Sequence, residues 1–320
     1  MKILVTGGAG FIGSHLIQCL LSEGHKVQVL DNLSTGNVKN LHNLNNKALQ
    51  IHNGSVLDYE LCENLISKTD YIFHLAAAVG VFTIVNKPLE SMITNIRGTE
   101  NILDLANKYG KQILITSSSE IYGKNSIDKL SENSDRILGP TSFLRWSYAE
   151  SKAIDESLAF AYFQEFNLPV RIVRFFNTVG PRQVGQHGMV VPRFIEAALN
   201  DLPIEIYGDG TQTRCFAHID DVVEALIGVA FSNNTLGKVV NIGNDEEISI
   251  LDLAKKVIQV SNSNSKILFK SYDDAYGRNF EDMVRRVPDL NLIRSLIGWA
   301  PKKSITDIIQ DIINYRNLDL

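Results

Sequence analysis

The stretch Ile3-Leu4-Val5-Thr6-Gly7-Gly8-Ala9-Gly10-Phe11-Ile12-Gly13 decides how the chain is read. An apolar, β-branched run ends in clustered glycines and passes into the helical pattern His15, Leu16, Cys19, Leu20, which predicts a buried strand, a tight turn and a helix. A dinucleotide-binding fold opens in this way. Glycine suits the turn because a pyrophosphate reaches backbone N–H groups at a helix N-terminus only where no Cβ intervenes, and because helix must lie close on strand. The glycines fall at Gly7, Gly10 and Gly13, a spacing unlike the common G-x-G-x-x-G. Asp31 ends a second apolar run (Val27, Val29, Leu30) at about the distance where an acidic residue meets the adenosine ribose hydroxyls. A carboxylate there repels a 2′-phosphate, so NAD is expected rather than NADP.

The composition sets the outer bounds. With 320 residues, 44% hydrophobic and 21% charged, the chain can bury a large core as one α/β domain or as a large and a small one. Its net charge of -5 argues against a general nucleic-acid binder. No apolar run reaches membrane-spanning length, and the N-terminus enters a strand at once, so no signal peptide, no membrane partner and a cytoplasmic location are expected. Cys19, Cys62 and Cys215 show no spacing that suggests a metal site or a disulfide framework.

Along the chain, 32–47 is Asn-rich and loop-like, 49–52 a short strand and 54–58 a turn. Strands are predicted over 71–78, 112–117, 170–175 and 239–242, and helices over 91–109, 148–166, 220–231, 250–260 and 304–315. The alternation predicts an α/β doubly wound parallel sheet of the Rossmann type, with ligands at the carboxyl ends of its strands. Beyond Asn177 the pattern loses regularity, and a smaller C-terminal α/β substrate domain is expected. The expected division assigns 1–176 plus about 213–242 to the cofactor and about 177–212 plus 243–320 to the substrate.

Two further groups carry chemistry. Tyr148 and Lys152 lie four apart on a predicted helix, so their head groups share a face. A nearby ammonium favours phenolate and would draw the tyrosine toward use as a general base. The strand 113–115 delivers Thr116-Ser117-Ser118-Ser119-Glu120 at its carboxyl end, offering hydroxyl donors and a further acid or base.

This ordered set resembles the extended short-chain dehydrogenase/reductase family, within it the nucleotide-sugar epimerases, dehydratases and decarboxylases. The resemblance covers essentially the whole chain. It runs from the glycine turn through His74-Leu75-Ala76-Ala77, Asn95 with Gly98-Thr99, Tyr148 with Lys152, and Arg174-Phe175-Phe176-Asn177. It continues through Gly180-Pro181-Arg182, the run from Gly208 to Arg214, and Gly298-Trp299. It implies that Tyr148 takes the C4 hydroxyl proton of a UDP-sugar while hydride leaves to NAD, and that Lys152 holds the nicotinamide ribose. Ser117 or Ser118 would meet the same C4 oxygen; the reading adopted makes Ser118 and Ser119 the donors and sets Ser117 toward the cofactor. Cofactor contacts are further implied for Phe11, Ile12, Asn32, Leu75, Ala76, Ala77 and Asn95, with Val56 and Asp58 at the adenine. Asn177, Arg193, Tyr207, Arg214 and Arg286 would bind the nucleotide diphosphate and sugar. No metal is implied, and a homodimer through the helices beginning near Ser91 and Tyr148 is.

The strand end discriminates among reactions. The 4,6-dehydratases typically place Asp before the Glu, where this chain has Ser119, and common 4-epimerases carry a small or apolar residue where Glu120 stands. Ser119-Glu120, Arg145-Trp146-Ser147-Tyr148, and Tyr276-Gly277 with Phe280-Glu281-Asp282, Arg286 and Pro288 look more like UDP-glucuronate decarboxylases. Glu120 would serve as acid, base or substrate-orienting group. The expected reaction is therefore decarboxylation of UDP-glucuronate to UDP-xylose or its 4-keto form. A UDP-sugar 4-epimerase is the alternative, ahead of a 4,6-dehydratase, a dehydrogenase releasing NADH, or a non-catalytic NAD-binding protein. Two positions depart from the family pattern: Ser55 follows Gly54 where Asp is usual, and Val179 replaces a usual Tyr.

Overall fold

The computed structural model describes all residues except 43, 45, 46, 81–85, 186–188, 272–282, 284, 319 and 320. The strands are β1 Lys2–Thr6, β2 Lys26–Asp31, β3 Leu49–Asn53, β4 Tyr71–His74, β5 Gln112–Ser118, β6 Val170–Phe175, β7 Thr178–Val179, β8 Ile204–Tyr207, β9 Thr213–Cys215, β10 Ala217–His218, β11 Val239–Ile242, β12 Glu247–Ser249 and β13 Ile267–Lys270. Seven of them form one parallel sheet in the order β11-β6-β5-β4-β1-β2-β3. From β1 the chain builds outward to β3, then crosses back to lay β4 on the other side of β1. That reversal opens a crevice beyond the carboxyl ends of β1 and β4, where open α/β sheets bind ligands.

The central strands are apolar without alternation because helices cover both faces. One face packs helices Phe11–Ser22 and Ile219–Phe231 on Ile3, Val5 and Val29, joined by Leu290, Ile293 and Trp299 from the C-terminal part. The other packs helices Tyr59–Ile66, Pro88–Lys108 and Ser147–Phe166 on Leu4, Ile72 and Ile113. A third cluster unites helices Val190–Leu199, Ile250–Ser261 and Ile305–Leu318 with β8. Three two-stranded sheets, β7–β10, β9–β12 and β8–β13, complete the fold, and β8 of the last packs in the third cluster.

Several boundaries differ from the sequence reading for local reasons. The long helix starts at Pro88 rather than Ser91, since proline is welcome in a first turn. Helix 190–199 arises where no helix is expected because Pro192 also falls in the first turn, where its missing N–H removes no bond. A one-turn helix, Lys39–His42, interrupts the expected loop 32–47. Among the described residues, no helix is long and apolar enough to cross a membrane.

Candidate active site

A cleft of about 900 Å³ runs along the carboxyl ends of the strands, from the glycine turn to the C-terminal cluster. Gly7 stands at φ +70°, and a Cβ there would lie 2.7 Å from the Ala76 backbone nitrogen. A Cβ on Gly13 would press against the Gly7 carbonyl oxygen. Glycine at these two positions lets the turn sit against both its own helix and the segment after β4. Helix 11–22 begins at Gly10 with no side-chain cap, and Gly10, Phe11 and Ile12 line the cleft. Its first N–H groups therefore make a bare anion site.

Asp31 ends β2 at the cleft wall, accepting hydrogen bonds from Ala9 N (2.9 Å) and Leu33 N (2.8 Å). Each carboxylate oxygen keeps a second lone pair for a ribose hydroxyl. Asn32, Val56, Leu75, Ala76 and Ala77 also line the cleft. Asp58 does not: it caps helix 59–66, accepting from Leu61 N at 3.1 Å, because the nearest unpaired donors belong to that helix. Asn95 also corrects the sequence reading. It is buried behind the wall, where Oδ1 accepts from Ala78 N (2.8 Å) and Nδ2 donates to Ser151 Oγ (3.3 Å). Its amide braces the segment after β4 instead of facing the cleft.

Beyond β5 the polypeptide turns through a 3₁₀ segment, Ser119–Tyr122, so that Ser117, Ser118, Ser119 and Glu120 all line the cleft opposite Tyr148 and Lys152. Tyr148 hydrogen-bonds Ser118, whose Oγ also accepts from Glu120 N at 3.2 Å. Lys152 is not free to act on Tyr148 alone, since its Nζ lies 3.1 Å from Asp155 Oδ2. Burial, Glu120 and Asp155 together outweigh Lys152 and Ser118, and the Tyr148 phenol is pushed up from its ordinary value. The expected lowering is therefore not what the protein alone provides. The Lys152 ammonium still draws the phenol down, but it is paired with Asp155 one helical turn away and burial leads the upward shift.

Glu120 sits between two guanidiniums: Arg145 Nη1 lies 2.7 Å from Oε2 and Arg286 Nη1 2.6 Å from Oε1. Burial raises the Glu120 carboxyl, but the two arginines overcome it and hold it well below the usual carboxylate range. A carboxylate so held is no proton donor near neutral pH, and of the three roles expected for Glu120 the orienting one fits. The sequence marks Arg145 only as part of the approach to Tyr148; its position one turn ahead of the tyrosine was the available signal. Asp155, at i+3 from Lys152, could have been read in the same way.

Arg286 also donates to Asn177 Oδ1 at 2.7 Å, while Asn177 Nδ2 donates to the Cys215 carbonyl at 3.1 Å. Farther along, Arg193 lies 4.0 Å over the Tyr207 ring and donates from Nη2 to the Glu205 carbonyl, and Arg214 donates to the Thr213 carbonyl. All five residues expected at the substrate line the cleft. Tyr276, Gly277, Phe280, Glu281 and Asp282 lie outside the described residues.

The cleft suits a dinucleotide. Its glycine turn presents uncapped N–H groups, Asp31 closes one end, and Ser117 Oγ, buried in the cleft wall, has no hydrogen-bond partner among the described residues. Comparison with known proteins agrees. A family profile described as GDP-mannose 4,6 dehydratase matches residues 4–312. A UDP-N-acetyl-alpha-D-glucosaminuronate decarboxylase of Bacillus cytotoxicus is 40% identical over 98% of this chain and 97% of its own. UDP-glucuronic acid decarboxylase 1 of Xenopus tropicalis is 34% identical over 100% of this chain and 73% of its own. The solved UDP-glucuronic acid 4-epimerase of Bacillus cereus, in complex with UDP-glucuronic acid and NAD, superposes with a TM-score of 0.90 at 30% identity, covering 100% of both chains. The chain belongs to the extended short-chain dehydrogenase/reductase family, in its NAD-dependent group of nucleotide-sugar epimerases, dehydratases and decarboxylases.

Proposed function

We propose that the protein uses NAD to oxidise C4 of a UDP-hexuronate, UDP-glucuronate or its 2-acetamido counterpart, which then loses C6 as carbon dioxide. The product is the UDP-pentose or its 4-keto form. The observation that carries this reading is the Arg145–Glu120–Arg286 cluster in the same cleft as Tyr148. Two guanidiniums against one carboxylate leave one positive charge for an anionic group on the sugar, and guanidinium geometry suits a carboxylate.

Bound NAD supplies the hydride acceptor. Tyr148 receives the C4 hydroxyl proton, and Ser118, hydrogen-bonded to Tyr148, orients the same oxygen. Oxidation makes the substrate a β-keto acid. When the C5–C6 bond breaks, its electron pair flows toward the C4 oxygen, where the Tyr148 and Ser118 hydroxyls stabilise the enolate; C5 then takes a proton to give the 4-keto pentose, and return of the hydride to C4 with the proton held by Tyr148 gives the UDP-pentose. Ser119 stands where dehydratases carry an acid, and Glu120 is held ionised, so elimination at C6 lacks a proton donor.

A second reading, a UDP-hexuronate 4-epimerase, is favoured by full-length superposition on a solved enzyme of that activity. The two part at C6. With substrate labelled by 13C at C6, decarboxylation releases labelled bicarbonate in step with turnover, whereas quantitative retention of the label in the nucleotide sugar would overturn the proposal. We further propose a cytoplasmic homodimer formed through helices 88–108 and 147–166. Leu89 and Ile154 on those helices are exposed in the single chain, and sedimentation at micromolar concentration tests the dimer.

A further inference from the structure

We propose that Asp155 is a positioning residue: as the buried counter-ion of Lys152 it limits how far that ammonium favours the Tyr148 phenolate, and so raises the proton affinity of Tyr148. The inference rests on the reading of Tyr148 as the base and adds a residue to which the family resemblance gives no role.

The geometry is a buried ion pair beneath the cleft, beside a hydrogen-bonded file through His74. Lys152 and Asp155, with side chains 3% and 1% exposed, pair at 3.1 Å. Next to the pair, Thr99 Oγ1, on helix 88–108, lies 3.1 Å from His74 Nε2, and His74 Nδ1 lies 2.8 Å from Thr6 Oγ1. Ala76 N donates to Thr6 Oγ1 at 3.2 Å. His74 is a neutral imidazole and adds no charge beside the pair, since burial first, and the Lys152 charge after it, lower it to about 3.

The charged and titratable groups around the pair are few. On helix 147–166 they are Tyr148 and Glu156, the latter held by Arg174 of β6 at 2.7 Å; on β4, His74; and past β5, Glu120 facing Tyr148. Of these charges Lys152 favours the phenolate, and Asp155, paired with it at 3.1 Å, opposes that effect in part. An ordinary structural salt bridge would stabilise the helix without this consequence, so the test must read the tyrosine itself.

The experiment is 13C NMR of the full chain labelled at tyrosine Cζ, with the Tyr148 signal identified by its absence in Tyr148→Phe. In Asp155→Asn the Tyr148 titration should move down by on the order of one unit, the effect of leaving the Lys152 charge without its counter-ion. An unchanged titration in a folded Asp155→Asn would overturn the proposal. Should that variant not fold, Asp155→Ser, which also removes the charge, takes its place, and an unmoved Tyr148 titration in it overturns the proposal. No substrate is present in this titration. Failure to turn over UDP-hexuronates would thus refute the functional reading alone, and an unmoved tyrosine would refute this one alone. In an active enzyme the acid limb of the kcat/KM profile should fall with the same shift.

Discussion

Replacing Glu120 by Gln keeps the shape of the side chain and removes the charge that joins Arg145 to Arg286. The parent has two charge-assisted contacts, 2.7 Å and 2.6 Å, on a carboxylate largely withdrawn from water. Taking the lower end of the range for hydrogen bonds to charged groups, about 1.5 kcal/mol each, the substitution costs about 3 kcal/mol. At roughly 2 °C per kcal/mol for a large chain, the melting temperature should fall by about 6 °C. The pH dependence has a definite sign. Glu120 is depressed in the folded state, so its contribution is complete above the unfolded carboxylate value of about 4.3 and is lost as pH falls toward the folded one. Thermal melts of parent and variant should therefore stay apart by a constant interval between pH 6 and 8 and converge in acid. Equal melting temperatures across pH 6 to 8 would show that the arginines do not depend on Glu120, and the assignment of that residue as their organiser would fall.

Three further outcomes follow from the same geometry. Tyr148→Phe should lower kcat roughly 100- to 10,000-fold, the range for removal of a general acid–base group, while NAD affinity by equilibrium titration changes little. Gly7→Ala forces a side chain into a φ of +70° against the Ala76 backbone, so denaturant unfolding should show a loss of more than about 1 kcal/mol, with weakened NAD binding. Asp31→Asn should narrow the preference for NAD over NADP by removing the charge that opposes a 2′-phosphate, and the ratio of the two dissociation constants measures this directly.

How far the molecule could be read from its sequence depended on the range of the forces involved. The opening strand, glycine turn and helix were legible because a strand buried on both faces needs a continuous apolar run and close backbone approach needs glycine. Tyr148 and Lys152 were legible because helical spacing alone puts them on one face. Asp58 and Asn95 were misplaced because their carboxylate and amide find backbone partners nearby, in a helix N-terminus and in the segment after β4, and residue type does not reveal that competition. The sign of the Tyr148 perturbation was hidden because it depends on burial and on a counter-charge whose weight appears only when both are withdrawn from water. The clamp on Glu120 joins positions 120, 145 and 286 through tertiary structure. Helix 190–199 escaped notice because Pro192 reads as a breaker until it is seen in the first turn.

The central claim is the fate of C6 after oxidation at C4. Proton NMR of the purified protein with NAD and UDP-glucuronate, run beside UDP-N-acetylglucosaminuronate and UDP-glucose, follows it directly. The account predicts that a hexuronate substrate loses its single C5 proton signal as a UDP-pentose spectrum, with two C5 protons, or its 4-keto form grows in. UDP-glucose should stay unchanged. A product that keeps all six sugar carbons and shows an inverted, axial C4 hydroxyl would contradict it and make the protein an epimerase.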